Sequence, residues 1–185
     1  MSPALRILGT RGVPAAHGGF ETFAERLALH LVARGWRVTV YCQQDGSGPV
    51  HEDVWQGVQR VHIPVAAAGP KGTIVFDWIA TRHAARAGEP CLTLGYNTAV
   101  FCALLRWARV PNVINMDGIE WRRDKWGAVA KAWFWLNELA GARLGQRHLQ
   151  VVDLIGQQQR PQQQQSRLVE LATAHRRDRG DAAVH

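Results

Sequence analysis

The sequence has no run of 18 or more apolar residues, which argues against a membrane-spanning helix. Its amino terminus, MSPALRILGTRG, carries too short an apolar stretch for a secretory signal and reads as a first strand. Cysteine is scarce. Cys42, Cys91 and Cys102 each lie in an apolar stretch, and no CxxC or Cys/His ligand spacing occurs. That excludes a disulfide framework and leaves three reduced core thiols of a cytosolic protein as the expectation. The eight histidines are scattered, so no metal is expected. Negative charge is also in short supply, with 15 acidic residues against 22 Lys and Arg and a net charge of +7. A basic chain suits nucleic acid, anionic lipid or a phosphorylated substrate. No dense Lys/Arg tract interleaved with aromatics is present, so nucleic acid is not an expected partner.

Aromatic residues are missing altogether beyond Trp135, although all eight tryptophans lie between Trp36 and Trp135. Nine of the 13 glutamines fall in the last 40 residues. The composition therefore divides the chain into residues 1–145 and a Gln/Arg-rich segment of low complexity, 146–185. The latter lacks the large apolar side chains that offset ordering entropy and is expected to be disordered. Its abrupt onset resembles out-of-frame translation of a GC-rich gene, so a frameshift or truncation near 140–150 is the working expectation. The length of 185 residues leaves room for one α/β domain.

Residues 1–145 alternate between short apolar runs and amphipathic segments. ALRILG, RVTVYC, GVQRVHIP, CLTLGY and NVINMDG read as five strands. GFETFAERLALHLVARG carries Phe20, Phe23, Ala24, Leu27, Leu31 and Val32 on one helical face, and Gly35 stands where a helix-terminating glycine belongs. TIVFDWIATRHAARAG, TAVFCALLRWARV and EWRRDKWGAVAKAWFWLNELAGARLG supply further helices. Such alternation predicts a Rossmann-like parallel sheet with flanking helices.

Ligands of open parallel sheets bind beyond the carboxyl ends of the strands. The loop from Gly9 to Gly19 lies at such an end. Gly18 and Gly19 open the following helix, whose free N–H groups and partial positive charge suit a phosphate or pyrophosphate, with Arg11 nearby to add a charged hydrogen bond. The dinucleotide fingerprint needs another glycine spacing, and a P-loop needs Lys before Ser or Thr where Phe20 and Glu21 stand. The alternative is that the glycines serve only the turn and tight helix–sheet packing.

RGVPAAHGGFETFAERLALHLVARGWRVTVYC, followed in order by NMDGIEWRRDKW, resembles the N-terminal domain of the family-4 retaining glycosyltransferases, and within them a bacterial rhamnosyltransferase-like group. The resemblance covers residues 4–145. It implies the N-terminal, acceptor-side half of a GT-B fold, truncated ahead of the donor-binding half and inactive alone. It implies transfer from a nucleotide-sugar donor, a substrate rather than a cofactor, to a polysaccharide or lipid-diphosphate acceptor. A stand-alone binding module for a phosphorylated sugar and a non-functional remnant are the alternatives.

By the same resemblance Arg11, Gly18, Gly19 and Glu21 contact substrate, Asp117 contacts the transferred sugar or acceptor, and Asn115 and Glu120 flank it. Histidine is the commoner residue at the position of Asp117, which weakens a proton-transfer role. Helix capping by Asp117 and a surface role for Glu120 are the structural alternatives. Trp121, Arg122, Arg123, Lys125 and Trp126 form a basic, tryptophan-rich segment suited to peripheral contact at the inner face of a membrane. Trp126, Val129, Trp133 and Leu136 share a helical face, which reads as core or as part of that docking patch.

Overall fold

A computed structural model describes residues 2–16, 18–115, 122 and 127–144. A six-stranded sheet forms the centre, with the strands β1 (Ala4–Leu8), β2 (Arg37–Asp45), β3 (His51–Trp55), β4 (Val58–Val65), β5 (Cys91–Leu94) and β6 (Asn112–Asn115). Their spatial order is β3-β4-β2-β1-β5-β6, and all pairs are parallel except β3 with β4. Without β3, the parallel strands run in the order third, second, first, fourth, fifth, which is the Rossmann-like arrangement. The chain builds outward from β1 to one side, then returns to pair β5 on its other side. The reversal point therefore lies between β1 and β5.

The helices are α1 (Gly19–Val32), α2 (Gly69–Ala87), α3 (Cys102–Trp107) and α4 (Ala128–Leu144), with a 3-10 turn at Ala99–Phe101 ahead of α3. β1, β2 and β4 are mostly buried, with Arg37, Asp45 and Gln59 their exposed residues, as strands covered on both faces should be. One face contributes Leu8, Tyr41, Val61 and Ile63 to a cluster with Phe76, Ala80 and Ala84 of α2 and Leu105 of α3. By the period of two, Val38, Val40, Leu5 and Ile7 turn the other way, where α1 buries Ala24, Ala28 and Leu31. At the end of α1, Gly35 (φ 79°) closes the helix. Its N–H donates to Val32 O at 2.9 Å and the Trp36 N–H to Leu31 O at 3.1 Å, the paired bonds of a glycine C-cap.

Arg6 projects from β1 and is satisfied sideways. Its Nε lies 2.7 Å from Glu89 Oε2, and Nη1 donates to the Tyr41 hydroxyl at 2.9 Å. Cys42, Cys91 and Cys102 are buried and free. Among the described residues no helix is long and apolar enough to cross a membrane.

Several sequence expectations shift. HEDVW forms an additional antiparallel edge strand, β3, whose first four residues are exposed. α2 begins at Gly69 with Pro70 in its first turn, ahead of the expected TIVFDW start. Phe23 is 45% exposed, and the buried face of α1 is turned away from it, through Ala24, Ala28 and Leu31. On α4, Val129 is 87% and Leu136 46% exposed, so the expected apolar face is not core. α4 docks instead through fully buried Asn137, which accepts the Val100 N–H and donates to Trp133 O, each at 2.9 Å. Trp133 Nε1 adds a bond to Asn97 O, also at 2.9 Å. The tail from 146 to 185 lies outside the described residues.

Candidate functional site

Among the described residues, two cavities open along the carboxyl ends of the strands. The larger, about 400 Å³, lies over β1, β2 and β4 between Arg11, Gly12, Gln44, Asp45, His62 and Gly69. The smaller, about 170 Å³, sits at the reversal point between Gly9, Phe20, Thr73, Asp77, Asn97 and Thr98. Arg11, Glu21 and Gln43 line both, so the two form adjoining parts of one cleft.

The glycine loop is built into this floor. Gly9 (φ 77°) lies against β5, where an added Cβ would stand 2.1 Å from the Leu94 carbonyl oxygen. Gly12 (φ 129°) lies against Cys42 in the same way, with Sγ at 2.8 Å. The Gln43 N–H donates to Arg11 O at 2.9 Å, and Arg60 Nη1 to Val13 O at 3.1 Å. Arg60 is held by a two-pronged contact with Asp53, whose carboxyl those hydrogen bonds hold down to about 2. Burial raises the Cys42 thiol, which keeps it un-ionised behind the loop.

At the start of α1 the reasons for glycine separate. Gly18 has φ 148°, which side chains rarely adopt. Gly19 is different. An added Cβ there would meet nothing within 4 Å, and its φ is not in the left-handed region. Neither packing nor backbone demands glycine at Gly19. No side chain caps the helix, so its first-turn amides are available. α2 also starts without a side-chain cap, and its Gly69 lines the larger cavity. Two helix N-termini, each with its partial positive charge, thus border the region of Arg11.

The sequence-based candidates are distributed unequally. Arg11 and Glu21 line the cleft, and a Glu21 oxygen accepts the Arg11 backbone N–H at 3.4 Å, so this carboxylate also braces the loop. Gly18 and Gly19 open the helix whose first turn supplies Glu21. Asn115 ends β6 and its carbonyl accepts the Gly95 N–H at 2.9 Å, but its residue lines neither cavity. Asp117, Glu120 and the segment Trp121, Arg123, Lys125 and Trp126 lie outside the described residues, while Arg122 is exposed. Sequence reasoning passed over Gln43, Asn97, Thr98 and above all Asp77. Asp77 is buried in α2, and burial pushes its carboxyl up to about 6 despite the hydrogen bond from Thr98.

The profile of the DUF1972 family, described as a domain of unknown function, matches residues 3–158. The chain belongs to the DUF1972 family. No curated protein matches it. Among solved structures, one described as "Trehalose-6-phosphate from E. coli bound with UDP-2-fluoro glucose" is similar at 12% identity and a TM-score of 0.35. The alignment covers 61% of this DUF1972 chain and 32% of that protein, a likeness too loose to bear on activity. Among the described residues of this DUF1972 domain no cluster of three or more His, Cys, Asp or Glu is placed to hold a metal ion.

Proposed function

We propose that this DUF1972 domain is the acceptor-side domain of a retaining glycosyltransferase of the rhamnosyltransferase-like, family-4 kind. It serves transfer of a sugar from a nucleotide-sugar donor to a polysaccharide or lipid-diphosphate acceptor at the inner face of the membrane. The observation that carries the reading is Gly19, a side-chain-free position with no structural need for glycine, on an uncapped helix start whose next residues, Phe20 and Glu21, line the strand-end cleft. The ordered resemblance of the Gly18–Gly19 segment and the Asp117 segment to that enzyme group gives the site its chemistry.

Glycosyl transfer passes through an oxocarbenium-like sugar while negative charge grows on the departing diphosphate. Amides at the start of α1 and the Arg11 guanidinium are assigned to stabilise that charge. Asp117, with Asn115 and Glu120, is assigned to the sugar. The nucleotide pocket belongs to a second domain closing over this cleft, so the described elements are one half of the reaction site. The segment from Trp121 to Trp126 is assigned to membrane contact.

The test is a calorimetric titration with inorganic pyrophosphate. Saturable binding that weakens with added salt is expected, and Arg11→Ala is expected to lose about tenfold in affinity, the value of one charged hydrogen bond. Equal affinity of the variant and wild type would remove Arg11 from the site, and absence of binding would remove the diphosphate reading altogether.

A further inference from the structure

α2 buries Gly72, Phe76, Ala80, Thr81 and Ala84 along one face, and in their midst stands Asp77, 8% exposed. A carboxyl in that place disfavours the fold, because a buried charge without a cation loses its hydration. No cation pairs with it among the described residues. Its hydrogen-bond partner is Thr98, whose Oγ1 donates to Oδ2 at 2.7 Å. Thr98 begins the turn that carries the chain from β5 into α3, so this bond sets the carboxyl's orientation at the reversal point. The other oxygen, Oδ1, has no protein donor among the described residues and is not a sealed atom. It belongs to a residue of the 170 Å³ cavity wall.

That volume equals about five or six water molecules, room for one six-membered sugar ring. The walls fit such a guest. Phe20 and the rim of buried Phe76 supply apolar wall, while Thr73, Asn97, Thr98 and Asp77 supply polar groups. Phosphate is disfavoured here, since the Asp77 carboxyl, which is not part of the larger cavity's wall, repels it.

We propose that the 170 Å³ cavity is a monosaccharide subsite and that Asp77, oriented by Thr98, is its specificity-determining residue, accepting hydrogen bonds from the hydroxyls of one sugar unit of the acceptor. The assignment to the acceptor rests on the proposed glycosyltransferase reading; the sugar-binding cavity itself does not. Asp77 touches the sugar but moves no proton in the transfer.

The experiment uses the purified full chain and saturation-transfer NMR against methyl glycosides of neutral hexoses and 6-deoxyhexoses, with glucosamine as a cationic control and inorganic pyrophosphate titrated separately. At least one neutral glycoside is expected to bind saturably. Asp77→Asn is expected to weaken it about tenfold without lowering the melting temperature, and Thr98→Val to weaken it several-fold with the charge kept. Pyrophosphate affinity is expected to be the same in all three proteins. Undiminished sugar binding by both variants overturns the proposal, as does binding of glucosamine alone, which would make Asp77 a counter-ion. Loss of sugar binding together with a lowered melting temperature in both variants also overturns it, because Asp77 would then be structural. Absence of neutral-sugar binding with pyrophosphate still bound overturns this subsite and leaves the diphosphate reading standing. The reverse result keeps the subsite and removes that reading.

Discussion

Asp77→Asn is expected to stabilise the protein by about 3 kcal/mol at pH 8 and by less than about 1 kcal/mol at pH 4. The sign follows from proton linkage. Burial lifts the folded carboxyl from 3.8 to about 6. Below 3.8 both the folded and the unfolded chain carry the proton, and the residue has no effect on the balance. Between 3.8 and about 6 the unfolded chain ionises first, so stability falls as pH rises. Above that range the deficit is constant. Asparagine keeps an oxygen for the Thr98 hydroxyl and cannot ionise, so it abolishes the slope. Urea unfolding of both proteins at pH 4, 6 and 8 measures it as the change in midpoint at constant slope against denaturant. Parallel curves at the three pH values would contradict the burial of an ionised carboxyl. Stabilisation accompanied by lost sugar binding is the pattern of a residue held for function at a cost in stability.

Gly9→Ala is expected to destabilise the fold by at least about 3 kcal/mol, because two costs combine. The backbone at Gly9 has φ 77°, and the new Cβ would stand 2.1 Å from the carbonyl oxygen of Leu94. That oxygen is backbone of the strand paired to β1, so no flexible side chain can move aside. Gly19→Ala is the matched control. Open space surrounds its Cβ and alanine is the better helix former, so the melting temperature is expected to be unchanged or slightly raised. Thermal unfolding of the two variants distinguishes the roles of the glycines within a single loop. Should Gly19→Ala destabilise as much as Gly9→Ala, the whole glycine loop would be a packing device, and the functional argument from Gly19 would fall.

The parallel strands were legible because ALRIL, RVTVYC and their partners are buried on both faces and read as short apolar runs between helices. β3 was not legible. HEDVW pairs along a single edge with β4 and leaves most of its side chains in water, so it carries no apolar alternation. α4 misled for the opposite reason: its tryptophans and Val129 promise a core, yet the helix is anchored by a buried amide at Asn137. Of the candidate site, Arg11 and Glu21 were reachable from the loop's position after β1. Asp77 left a weak signal, a carboxylate in phase with Ala80 and Ala84 on the inward face of a helix. Nothing local marked it as lining a cavity, because Thr98 and Asn97 reach it from a strand end twenty residues on.

On the proposed reading the start of α1 receives a diphosphate. Amide-resolved NMR of the full chain, titrated with inorganic pyrophosphate, tests it most directly. The largest shifts are expected at the N–H groups of Gly18, Gly19 and Phe20, followed by Arg11. Unmoved amides at those positions, with shifts gathered instead around exposed Arg106 and Arg109 at the end of α3, would contradict that reading.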